Sequence, residues 1–134
     1  MVVKKAIQIT TILLFTCITS ALAQQSGKAT FYNNKFQGRH SADGGRYQKD
    51  SLTCAHRTLP FGTLLKVRNL KNNQEVIVKV TDRGPHRKKV MIDLSYGAAK
   101  KLDAIRQGVA NVEITKIDSL QVLKPYISTA YSPR

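Results

Sequence analysis

The sequence predicts a small closed β-barrel with one short helix. Three observations carry that prediction. Apolar runs of strand length recur, rich in Val, Ile and Leu; one segment alone has the cap and length of a helix; and long polar or turn-forming stretches separate them within about 90 residues.

The first stretch is expected to be an export signal rather than part of the fold. Lys4 and Lys5 form a short positive region, Ala6 to Ile18 is largely apolar, and Ala21-Leu22-Ala23 has the form of a cleavage site. Residues 1–23 are therefore read as a signal peptide, with the mature chain beginning near Gln24. The apolar run is shorter than the ~20 residues a transmembrane helix needs, so no membrane span is expected. Cys17 follows Leu14-Phe15-Thr16, which lacks the small residue that precedes a lipidated cysteine, so lipidation is not expected. The predicted location is the periplasm or cell envelope.

Within the domain expected over 24–117, Gly27 to Tyr32 reads as a first strand. Asn33 to Asp50, with Gly38, Gly44 and Gly45, reads as a long loop, and long loops in small domains commonly carry function. Leu52-Thr53-Cys54-Ala55 is strand-like, and Thr63 to Arg68 and Glu75 to Thr81 are clear strands. Asn69 to Gln74 joins the last two as a hairpin whose Asn residues tolerate positive φ. Asp82-Arg83-Gly84-Pro85 then makes a turn, and Val90 to Leu94 a short strand. Ser95 is a suitable N-cap for a helix over Tyr96 to Leu102. Val109 to Ile117 alternates as a half-buried strand; from Asp118 the pattern decays into a C-terminal tail over 118–134, of which Lys124 to Arg134 is expected to be mobile or to lie along the surface.

Composition narrows the partners. The chain has 22 Lys and Arg against 8 Asp and Glu; losing Lys4 and Lys5 with the signal leaves a mature charge of about +12. An exported protein with that balance meets anionic polymers of the envelope, such as peptidoglycan or phosphate-bearing polymers. No aromatic-interleaved basic face points to nucleic acid. After the signal, Cys54 stands alone, so packing rather than an internal disulfide must hold the domain. No cofactor and no metal are expected, and a monomer is.

Three segments resemble the rare lipoprotein A family: Ala29-Thr30-Phe31-Tyr32, the run Thr53 to Thr63 containing A-H-R-T-L-P-F-G-T, and Val80-Thr81-Asp82-Arg83-Gly84-Pro85. Ile92-Asp93-Leu94-Ser95 follows at a similar spacing. The resemblance implies a six-stranded double-psi β-barrel, related to expansin and barwin-type domains. It also implies lytic transglycosylase activity on peptide-free peptidoglycan glycan strands, leaving 1,6-anhydromuramyl ends. The alternative is a wall glycan binder of expansin type that does not cut.

Such a cut needs a carboxyl group partly removed from water, so that it holds a proton near working pH. Asp82 and Asp93 each end an apolar strand and match acidic residues of the related motifs. Asp82 is the stronger candidate for proton transfer. Asp93 sits near the helix start, whose dipole is expected to lower its pKa and suit it to a base or stabilising role. His56 matches the family's active-site His and is expected to bond Asp82 or the sugar. Cys54, two residues earlier, is read as a small buried thiol rather than a nucleophile. Tyr32, Tyr47 and Phe36 are candidates to stack on sugars. Asp43, Arg57, Arg83 and Arg87 are further candidate substrate-binding residues, Arg87 within the basic run His86-Arg87-Lys88-Lys89. The resemblance leads one to expect Glu at position 45, eleven residues before His56. Gly45 stands there, with Asp43 the nearest substitute.

Overall fold

A computed structural model describes residues 23–123. The expected export signal, Cys17 and the tail beyond residue 123 lie outside these residues.

Six strands close a barrel: β1 Gln24–Phe31, β2 Thr53–Ala55, β3 Leu64–Asn69, β4 Glu75–Asp82, β5 Ile92–Leu94 and β6 Ala110–Ile117. Their order around the wall is β1-β5-β2-β4-β3-β6. The pairs β1–β5 and β2–β4 are parallel and the other four antiparallel. Closure leaves no free sheet edge among these strands. The helix α1 spans Tyr96–Lys101, one residue short of the expected end.

Alternation decides which side chains fill the barrel. Leu65 and Val67 of β3, Val76, Val78 and Val80 of β4, and Val112 and Ile114 of β6 face inward, joined by Ile92 and Leu94 of β5. Burying each such side chain contributes roughly 2 kcal/mol. Ala98 and Leu102 from α1 and its end complete the cluster. The hairpin after β3 turns at Asn73, whose φ of 61° is the positive value asparagine tolerates. Asn69 is fully buried and spends its amide on Leu102 O at 2.9 Å and Gln107 Oε1 at 3.0 Å, tying β3 to the end of α1.

One expectation needs correcting, and two segments gain detail. β1 begins at Gln24 rather than Gly27, because Gln24-Gln25-Ser26 pair with Thr115-Ile114-Glu113 of β6; those polar residues carry no strand signal of their own. The long loop carries local structure of its own: Asn34–Phe36 form a 3-10 turn capped by the Asn33 side chain, and His40 bridges Arg46. After β6, where the alternation decays, residues 119–123 are helical.

Candidate active site

Four strands bring the candidate residues to one side of the barrel. The register pairs Thr30 of β1 with Asp93 of β5, Asp93 with Ala55 of β2, and Ala55 with Asp82 of β4. Opposed residues share a face and neighbouring strands lie about 4.8 Å apart. The two aspartates are thus separated by about 10 Å at Cα, with Ala55 between them. Gly84 covers that alanine: a Cβ on it would stand 3.8 Å from Ala55 Cβ, and its φ of 133° is one that favours glycine. Small residues at 55 and 84 let the D-R-G-P turn cross between the carboxylates.

Asp82 is an anchor as well as an acid. Its Oδ2 accepts from Tyr32 Oη at 2.7 Å, and its Oδ1 accepts from the backbone N–H groups of Ala42 and Arg83, both at 2.9 Å. One carboxylate therefore fixes the ends of β1 and β4 and the tip of the long loop.

Asp93 is held differently. Thr30 Oγ1 donates to its Oδ1 at 3.0 Å. Burial pushes its pKa up to about 6, with help from the charge of Asp82, while the Thr30 bond and the Arg87 charge oppose the rise. The expected lowering by the helix dipole does not occur. Ser95 caps α1, accepting from Ala98 N at 3.2 Å, and leaves Asp93 facing the cleft, where desolvation dominates.

The cleft over these residues has a volume of about 650 Å³. Thr30, Tyr32, Phe36, Tyr47, Asp82 and Asp93 line it, with Lys35, Arg39, His40, Arg83, His86 and Arg87 supplying cationic and imidazole groups. Tyr32 meets Tyr47 edge-on at 4.9 Å between ring centres and Phe36 at 5.7 Å. Burial and then the bond to Asp82 raise the Tyr32 pKa, so its hydroxyl is a lasting donor. Tyr47 is buried and its Oη accepts from Tyr96 N at 3.1 Å; burial raises its pKa too. Its ring forms a fixed wall behind Tyr32.

Other candidates are placed elsewhere. His56 is buried, does not line the cleft, and its Nδ1 accepts from the N–H groups of Thr58 at 3.2 Å and Leu59 at 3.1 Å. Its link to Asp82 runs through the main chains, His56 N to Asp82 O at 3.2 Å, instead of the expected side-chain bond. Burial, then the charges of Arg57 and Arg83, lower its pKa. Arg83 reaches the cleft but donates from Nη1 to Leu59 O at 2.7 Å and His56 O at 3.2 Å, with Phe61 under its guanidinium at 3.9 Å. Exposed Arg57 donates to Arg87 O. Asp43 Oδ1 accepts from Gly45 N at 2.9 Å, and neither residue lines the cleft. Cys54 is buried and its thiol is pushed up to about 12 by burial first and Asp93 second, so it stays protonated.

Thr30, Arg39, Lys35 and His40 are cleft residues that the sequence reading did not single out. For Thr30 a signal existed: two residues before Tyr32 on a strand, it must share that residue's face.

Residues 24–114 match the family model described as lytic transglycolase. The chain belongs to that family. A relative from Aquifex aeolicus, "Probable endolytic peptidoglycan transglycosylase RlpA", is 55% identical over 87 residues, covering 65% of this chain and 38% of its own length. One of the same name from Synechocystis is 42% identical over 109 residues, covering 81% of this chain and 34% of its own. The chain thus spans about a third of the length of these relatives. The lytic transglycolase barrel is also similar in fold to an expansin from Clavibacter michiganensis, at a TM-score of 0.57 and 20% identity over 72% of this chain and 52% of the expansin. The family, the closed six-stranded wall and the expansin likeness together identify an RlpA-like double-psi β-barrel.

Proposed function

We propose that this barrel is an exported lytic transglycosylase of the cell envelope, cleaving peptide-free peptidoglycan strands to leave 1,6-anhydromuramyl ends. The observation that carries the reading is the pair of unlike carboxylates in one cleft: Asp93 desolvated and raised to about 6, Asp82 accepting three hydrogen bonds. Environments that separate two carboxyl groups divide acid from stabilising roles. The names of the relatives, all of them longer proteins, support the substrate class.

In this mechanism protonated Asp93 gives its proton to the glycosidic oxygen, and the C1–O bond breaks. The muramyl C6 hydroxyl closes on C1, and its proton returns to Asp93, so no water is consumed. Asp82, across Ala55 on the same side of the barrel, faces the positive charge that develops at the sugar ring. Tyr32 and Phe36 offer ring faces and edges to the glycan. Incubating denuded strands with protein and weighing the products tests this. Asp93→Asn is expected to cut anhydro-product formation by ~10²–10⁴-fold while binding persists.

A second reading, binding without cleavage, is favoured by Gly45 standing where the resemblance leads one to expect Glu. If neither wild type nor folded Gly45→Glu yields anhydro ends, the enzymatic reading is overturned and the binding one stands.

A further inference from the structure

The cleft carries more positive charge than its two carboxylates need, and most of its cations are already engaged. Arg83 is held by two carbonyls and Phe61. Lys35 and Arg39 lie 5.4 and 5.2 Å from the centre of the Phe36 ring. Arg87 is different. Its exposed side chain lines the cleft with Asp93, and its own carbonyl is gripped by the Arg57 guanidinium, which fixes the loop that presents it. Among the described residues the salt bridge within 4.0 Å is Arg68–Glu113, so Arg87 has no carboxylate of its own in the fold.

We infer that Arg87 is a specificity residue that binds a carboxylate carried by the glycan and so seats the strand beside Asp93. The inference rests on the glycan reading above but not on cleavage. A planar guanidinium takes a carboxylate through two parallel hydrogen bonds, and an amide at the same place offers neither the charge nor the fit. A muramyl residue free of peptide exposes a lactyl carboxylate, whereas one bearing peptide has turned it into an amide. The stem peptide carries carboxylates of its own, so both sources present the same chemistry.

The pairing has a second consequence. Asp93 accepts from Thr30 of β1, and the other ionisable groups near enough for their charges to matter are Tyr32 just after β1, Cys54 of β2, Asp82 of β4, Tyr47 of the long loop and Arg87. Of these, Arg87 is the cation whose charge favours the ionised form of Asp93. A glycan carboxylate seated on Arg87 cancels that field, so Asp93 holds its proton more tightly once the strand is bound.

The test measures binding of denuded strands, of denuded strands whose carboxylates have been converted to methylamides, and of peptide-bearing strands. Wild type is expected to lose about tenfold or more in affinity on amidation, the size of a lost charged hydrogen bond. Arg87→Gln should bind denuded strands about as weakly as wild type binds amidated ones, and amidation should cost it nothing further; Arg87→Lys should fall between. Tighter binding of denuded than of peptide-bearing strands assigns the lactyl group, and the reverse order, lost in Arg87→Gln, assigns the peptide. A merely structural Arg87 would leave the pH dependence alone. Here the alkaline limb of kcat should lie above that of kcat/KM in wild type, because the bound carboxylate cancels the Arg87 charge, and Arg87→Gln should close that gap. Equal binding of amidated, denuded and peptide-bearing strands by wild type, or equal losses on all three in Arg87→Gln, overturns the inference. Discrimination without anhydro product would leave it standing and remove only the enzymatic reading.

Discussion

Burial raises Asp93 to about 6, and the sign of that shift sets stability and chemistry against each other. The folded state holds this proton more tightly than the unfolded chain, whose Asp titrates near 3.9. The resulting stability is complete below about pH 4 and is lost as pH rises through about 6. Asp93→Asn is therefore expected to be more stable than wild type at pH 8 by about 1–2 kcal/mol and no more stable at pH 4, read from thermal melts. Catalysis by the same group needs the proton, so kcat/KM should fall tenfold per pH unit above about 6. A flat profile to pH 8 would move the acid role away from Asp93. His56 has the opposite sign: its lowered pKa gives stability that is present above the unfolded value of about 6.5 and lost as pH falls through the folded one. Cys54 tests the core instead. Cys54→Ser places a hydroxyl among apolar neighbours and should cost about 1–3 kcal/mol in urea melts, while Cys54→Ala should keep glycan binding and cleavage. Lost turnover in a folded Cys54→Ala protein would return the thiol to the mechanism.

At the scale of elements, the long loop and the D-R-G-P turn are both pinned by Asp82, and their glycines differ in what they allow. Gly84 needs its φ of 133°, so Gly84→Ala should cost roughly 1–3 kcal/mol and displace the turn that carries Arg83 and Arg87. Gly45 has no such need. A Cβ there meets only Asp43, with Oδ1 at 3.3 Å, a side chain able to give by a few tenths of an ångström. Gly45→Glu is thus expected to melt within a few degrees of wild type. If a missing carboxylate limits the reaction, it should also raise the yield of anhydro ends. A melt far below wild type would mean that the loop's Asx turn at Asp43 is more restrictive than its geometry suggests.

For the molecule as a whole, the excess of 22 basic over 8 acidic residues gives a field that reaches beyond the cleft. Exposed charges are screened within a Debye length of about 8 Å at physiological ionic strength. Retention on whole sacculi should therefore fall steadily across a salt series. Undiminished retention in ~1 M salt would assign the affinity to stacking and hydrogen bonds in the cleft.

The six strands, the Ser95 cap and the positive φ in the Asn69–Gln74 hairpin could be read from the chain because each depends on neighbours in sequence. Alternation, cap chemistry and turn residues act over a few positions. So could the placing of Asp82 and Asp93 at the ends of apolar strands. Their roles could not. Thr30 lies 63 residues from Asp93, and Tyr32 lies 50 from Asp82, yet those bonds and the burial around them separate the two acids. The same holds for His56, whose Nδ1 is taken up by the backbone N–H groups of Thr58 and Leu59. It holds too for Gln24 to Ser26, which became strand only because β6 lies beside them. Desolvation and hydrogen-bond partners are properties of whatever the barrel closes against each residue, and closure order β1-β5-β2-β4-β3-β6 is written in no local pattern.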